Sequence, residues 1–194
     1  RHLLRKGEQL PNVIRTLTAS LNRQPDDSEI ADALGLPLSK LADVRQFLKE
    51  GYQDGGFRVW DISDPKNPEL LSYVRTYGFG VHRFDMDENY AYISTEMNGY
   101  IGNILVIYDL ADPKRPIEIS RWHMPGQHLN AGEKPSWKGY KNRLHHALRV
   151  GNELWAAVWN AGFQVIDISD ICNPTTVAGH NYHPPFPEPT HTVL

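Results

Sequence analysis

A chain of 194 residues with 40% hydrophobic and 22% charged residues has the composition of a folded globular protein, which excludes wholesale disorder. A net charge of −3 excludes a strong global field for nucleic acid or anionic lipid. The lone cysteine, Cys172, excludes an internal disulfide, and no apolar run is long enough to span a membrane as a helix.

The chain starts at Arg1 rather than Met, and Thr190 to Leu194 reads as the beginning of a strand. It is therefore expected to be an internal piece of a longer protein. Its leader and its compartment, cytoplasm or periplasm, cannot be read from it. The composition changes near residue 50: all five Trp and eight of the nine His lie beyond that point.

Residues 1–50 have helical periodicity. Val13, Ile14, Leu17 and Leu21 form one apolar stripe. The run Pro25-Asp26-Asp27-Ser28 breaks it, and Ser28 is expected to cap a helix through Ile30, Ala33 and Leu34 that Gly35 ends. A third helix is expected over about Ser39–Glu50, with Leu41, Val44, Phe47 and Leu48 on one face. Residues 13–48 resemble the helix-turn-helix region of bacterial sigma factors, which implies DNA binding. Charge argues against that use: the third helix sets Lys40, Arg45 and Lys49 against Asp43 and Glu50, a weak phosphate-binding face.

From residue 51 the chain repeats. Gly56–Pro68, Asn103–Pro116 and Gly162–Pro174 align without gaps on Asp61, Asp109 and Asp167. Each unit is a β-branched strand ending at Asp, an Asp-Pro type turn in which Pro presets φ and ends the pairing, and a second strand. Between them Val81–Ser94 aligns with His145–Val158, each reading strand, tight turn, strand. Four short antiparallel strands per period of this length are the pattern of a β-propeller blade. The expected fold is mainly β. A partial propeller of two whole four-stranded blades (residues 80–122 and 145–180) and two half blades (57–76 and 190–194) follows a small α-helical segment. The expected division is 1–50 helical and 51–194 propeller.

The phrase Val165-Ile166-Asp167-Ile168-Ser169-Asp170 resembles the LVIVD repeat family of bacterial proteins, over about residues 51–194. Met124-Pro125-Gly126-Gln127 and Tyr182-His183-Pro184-Pro185-Phe186 resemble a subgroup of it. The resemblance implies a propeller and no particular activity.

The hairpin alignment places His82, His146 and His191 at one position of three successive blades, near the start of the innermost strand. Three neutral imidazoles converging on the channel axis would hold a metal ion (Fe, Cu or Zn), with redox chemistry as the concrete function. The alternative is that these histidines are structural register. His145 precedes His146 and points to the other face of the strand, and the alignment assigns the channel to His146. Two long connections add candidates at the channel mouth: His123, His128 and Glu133 in residues 123–144, and His180, His183 and Glu188 in residues 180–189. The partner would be a small molecule or a protein at that mouth. Arg83 and Glu96 are expected in surface ion pairs, Trp60, Tyr108, Trp155 and Trp159 in packing between blades, and Cys172 in an exposed turn. Against the metalloprotein stands a non-catalytic interaction scaffold, and behind both a DNA-binding helical segment fused to a propeller. No phosphate loop, nucleophile elbow or cysteine metal spacing is present.

Overall fold

The three repeat phrases fold alike. In a computed structural model, which describes residues 2–42, 55–139 and 141–193, each Asp of the repeat turns back on its own chain. The carboxylates of Asp61, Asp109 and Asp167 accept from the N–H two residues on, in Ser63, Ala111 and Ser169, at 2.7–2.8 Å. Asp64, Asp112 and Asp170 repeat the contact in the same turn, to Lys66, Lys114 and Cys172. These side-chain turns satisfy backbone donors where the strand pairing stops.

The strands in chain order are β1 (Gly56–Asp61), β2 (Glu69–Arg75), β3 (Tyr77–Met86), β4 (Tyr90–Glu96), β5 (Asn103–Asp109) and β6 (Ile117–Trp122). After the long connection come β7 (His146–Val150), β8 (Glu153–Ala157), β9 (Phe163–Asp167) and β10 (Thr175–His180). They form a two-stranded sheet, β1-β2, and two four-stranded antiparallel meanders, β3-β4-β5-β6 and β7-β8-β9-β10. The fold is mainly β with a small helical segment before it, as expected. Residues 190–193, expected to begin another strand, make one antiparallel bridge from Thr190 to Trp159.

Consecutive sheets pack face to face. Tyr92, Leu105, Ile107 and Trp122 pack with Leu144, Ala147, Leu154 and Ile166 between the two meanders. Ala91, Ile93, Ile104, Val106 and Tyr108 pack with Phe57 and Val74 on the other side. The middle meander is thus buried on both faces, which explains the unbroken apolar run Ile104–Tyr108 in place of alternation.

Polar contacts join the same sheets. The inner strands β3 and β7 meet where Asp85 accepts from the Arg149 N–H at 2.8 Å and Asp87 pairs with the Arg149 guanidinium. Tyr92 donates to Asp87 at 2.8 Å. At the outer strands Ser72 donates to the Pro113 carbonyl and Ser120 to the Ile171 carbonyl, both at 2.7 Å. These are one contact made twice, because Ser72 and Ser120 hold one place in the repeat and Pro113 and Ile171 another.

In the N-terminal segment α1 (His2–Leu21) and α2 (Asp27–Leu34) close a small core of Leu10, Ile30, Ala31, Leu34 and Leu41. The cap of α2 is Asp26, not Ser28. Asp26 and Glu29 form a reciprocal capping box that draws the helix start back, and Arg23 holds Glu29 through both carboxylate oxygens. Gly35 ends α2 in the left-handed region, as expected. Residues 38–42 are helical. The rest of the expected third helix, with Val44, Arg45, Phe47, Leu48 and Lys49, lies outside the described residues.

Candidate histidine centre

The histidines gather in two places. In the first, His145 is buried and lies between two others: the His82 ring meets it edge-on at 4.8 Å, and the His191 ring stacks on it at 4.7 Å. The Trp159 ring packs on both His145 (5.3 Å) and His191 (5.0 Å), and the Arg143 guanidinium sits 4.4 Å over Trp159. His82 comes from β3, His145 from the residue before β7, and His191 from the residue after the Thr190 bridge. The two meanders each supply one ring, and the segment after β10 supplies the third.

His146, expected in this group, is replaced in it by His145. The strand ladder shows why. Arg83 pairs with Ser94, which pairs with Leu105; His146 pairs with Ala157, which pairs with Phe163. Leu105 and Phe163 hold the same place before Asp109 and Asp167. Structurally, then, His146 matches Arg83, and His145 matches His82. The alignment of Val81–Ser94 on His145–Val158 is one residue out along its whole length: the ladder sets Arg83 on His146, Ser94 on Ala157 and Asn89 on Asn152, with no residue added in the turn. On a strand a slip of one reverses the face. His146 points to β3 instead, where its Nε2 meets the Phe84 carbonyl at 3.1 Å.

Burial sets the protonation of the cluster. It pushes the His145 imidazole down to about 4, aided by the cationic influence of His82, His191 and Arg83 and opposed by a backbone hydrogen bond. That bond joins His145 Nδ1 to the His191 carbonyl at 2.5 Å. The carbonyl can only accept, so Nδ1 carries the hydrogen and Nε2 is left as an acceptor. His82 is also held below its ordinary value, first by burial and then by Arg143 and Arg83. The centre sets two imidazoles that burial keeps toward the neutral form, His145 and His82, and the His191 ring beside the Arg143 and Arg83 guanidinium groups.

The second place is the connection from β6 to β7. Gln127 is fully buried: its Nε2 donates to the Ile101 and Asn103 carbonyls at 2.8 and 3.1 Å, and its Oε1 accepts from the Met124 N–H at 2.8 Å. It pins the loop to the β4–β5 connection. There Tyr100 stacks on His128 at 4.2 Å, meets His123 edge-on at 5.2 Å, and lies under the Arg121 guanidinium. Glu133 accepts from the backbone N–H groups of Gly126 (2.7 Å) and His128 (3.1 Å). Partial burial pushes its carboxyl up, but these two donors outweigh it and hold the group below its usual value. Glu133 thus closes its own loop.

The third set of expected residues lies apart. His183 bonds through Nδ1 to the Phe186 carbonyl at 2.6 Å, and His180 ends β10 against Phe163. Among the described residues no three His, Cys, Asp or Glu side chains are grouped as ligands for one metal ion. The stacked planes of His145 and His191 explain this for the first cluster, since lone pairs in parallel planes do not converge on one point. Trp159 and Gln127 were missed as members of these centres. Trp159 was expected in blade packing but follows β8 in a backbone conformation of positive φ that turns its ring onto the histidines.

An antiparallel strand pair repeated three times, each copy joined by an Asp turn and its sheets stacked face to face, defines a β-repeat protein of propeller-like fold. The model of the LVIVD repeat matches residues 51–76, 85–123 and 150–181, which make up half of the chain. The chain belongs to the LVIVD repeat family. The matched segments leave out residues 1–50, so the helix-turn-helix resemblance gains no support there. None of the curated proteins matches the chain.

Proposed function

We propose that residues 51–194 are part of a β-propeller and that it works as a binding protein rather than a catalyst. In this reading β3–β6 and β7–β10 are whole blades, β1–β2 is the outer half of the blade before them, and residues 190–194 open the blade after. Residues 1–50 are a separate helical segment. The ligand is taken at the His82–His145–His191 centre. One observation carries the reading: His82 on β3, His145 before β7 and His191 after the Thr190 bridge bring three imidazoles to one place, against Trp159 and Arg143. Imidazole rings, one with an acceptor nitrogen, a flat indole and a guanidinium suit a small planar molecule that stacks and exchanges hydrogen bonds.

The test is a thermal-shift screen of the chain against planar aromatic carboxylates, nucleobases and inorganic phosphate, with Trp159→Leu beside it. A compound that stabilises the chain by several degrees and loses that effect in the variant supports the reading. No stabilisation by any compound counts against a small-molecule centre and favours a protein partner at the same face.

A metal-binding reading, with iron, copper or zinc and redox chemistry, has one observation in its favour. A histidine whose Nδ1 is satisfied by a carbonyl and whose Nε2 is an open acceptor is the arrangement of metal-ligating imidazoles. Elemental analysis of chain purified without chelator or His tag decides it. Near-stoichiometric metal that drops in His145→Ala supports it, and metal-free protein in both ends it.

A further inference from the structure

The repeat sets up a comparison at β1. Aligned on Asp61, Asp109 and Asp167, strands β1, β5 and β9 are the same strand of three units. On one edge β5 and β9 each pair with the following strand, β6 or β10. On the other edge each pairs with a hairpin, β4–β3 or β8–β7. β1 pairs with β2 on the first edge, and among the described residues no strand pairs with it on the second.

Two further observations mark that edge as built for a strand. Trp60 is 47% exposed and Ile62 69% exposed, whereas the equivalent Tyr108, Ile166 and Ile168 are at 4%, 0% and 5%. Tyr108 is covered by the sheet before its own and Ile166 by the middle meander, and among the described residues no sheet lies before β1–β2. Trp60 and Ile62 line an apolar groove of about 580 Å³ with Phe57, Val59, Val81 and Phe84. The second observation is a single hydrogen bond. In both meanders the residue after the repeat Asp donates its backbone N–H to the last turn residue of the hairpin: Leu110 to the Asn89 carbonyl at 2.7 Å, Ile168 to the Asn152 carbonyl at 2.9 Å. Ile62 stands at that position in the β1 unit.

We propose that the open edge of β1 and its apolar groove are a docking site for a β-hairpin of a further LVIVD repeat. The occupant has stated chemistry. It is strand, tight turn ending in Asn, strand, with the Asn carbonyl accepting from Ile62 N–H, main-chain pairing along Gly56–Asp61, and apolar side chains over Trp60 and Ile62. This is strand addition, in which main-chain bonds supply affinity and side-chain pockets supply specificity. An open apolar strand edge is otherwise a site of uncontrolled pairing. The inference rests on the blade assignment proposed above.

The probe is a synthetic peptide of residues 145–158, which carries the β7–β8 hairpin and its Gly151-Asn152 turn, titrated into the intact chain. Binding should slow amide hydrogen exchange across β1 by about tenfold or more. It should also shift the emission of Trp60 to shorter wavelength, read as the difference from Trp60→Phe. Ile62→Pro, which removes the donor at an exposed position, should weaken the peptide about tenfold at unchanged circular dichroism. A scrambled peptide with the same effect overturns the proposal, as does no slowing of β1 at about 1 mM peptide. Slowing of β1 with rising chain concentration and no peptide overturns it in favour of a second copy. The same exchange data separate the two failures. If β3–β6 or β7–β10 does not exchange as one protected unit, the blade assignment has failed. If both do and β1 stays fast, the docking proposal alone has failed.

Discussion

Replacing His145 should remove a defined part of the chain's acid sensitivity. The imidazole sits at about 4 in the folded protein because burial disfavours its charged form. In the unfolded chain it titrates near its ordinary 6.5. Because the folded value is depressed, the unfolded state binds the proton first as pH falls. Stability contributed by neutral His145 is therefore complete above pH 6.5 and is lost between 6.5 and 4. A gap of this size corresponds to about 3 kcal/mol when fully developed, and about 2 kcal/mol of it is lost on going from pH 7 to pH 5. The Phe side chain keeps a ring for His82 and His191 but cannot titrate. His145→Phe also loses the bond to the His191 carbonyl, a cost of about 1 kcal/mol that does not vary with pH. The other groups facing His145 (His82 and Arg83 on β3, and His191) remain in both proteins, as do the lowered carboxylates, so their pH dependence cancels in the difference. The assay is urea unfolding of wild type and variant at both pH values. The wild type should lose about 2 kcal/mol more than the variant between them. Equal losses would refute the view that His145 is held neutral by its burial.

Three further substitutions test the framework around the centre. Ser120→Ala removes the hydroxyl that joins the outer edge of one meander to the Ile171 carbonyl of the next, and should cost about 1 kcal/mol in urea unfolding. Gly162→Ala places a Cβ at φ 71°, against the His180 carbonyl, and should cost more than about 2 kcal/mol and lower the melting temperature. Gln127→Leu leaves the Ile101 and Asn103 carbonyls without their side-chain donor. It should cost about 2 kcal/mol, with faster proteolytic cleavage in residues 123–139 as the local readout.

The repeat was legible because its signals are local. The Asp turns need only residues two apart, and a strand buried on both faces writes itself as an apolar run, Ile104–Tyr108. The centre was harder for a reason of register. Choosing between His145 and His146 depends on which residue faces Ala157 and Phe163 across the sheet, and with two adjacent histidines a local alignment of the hairpins settles one residue out. Only the ladder, anchored on Asp109 and Asp167, restores it. The role of Trp159 was hidden for another reason: it sits just past the end of β8, where a positive φ rather than strand alternation aims the ring. The serine contacts could have been found by carrying the repeat alignment one strand further, to Ser72 and Ser120. At the same place the third unit has Ala178, so the contact is not carried on from there.

Because the middle meander gives one face to each of two cores, the sheets are not independent bodies. Each is held by its neighbours, as in a linear array whose stability is a sum of intrinsic and interface terms. Among the described residues the meander β3–β6 has a neighbouring sheet on both sides, while β1–β2 has one on one side only. Loss of order should therefore travel inward from β1–β2, and the middle meander should be the last to open. A stabilising contact at β1 would then act at a distance, since whatever holds that outer pair in place also protects the interface beneath it and, through that interface, the strand that carries His82.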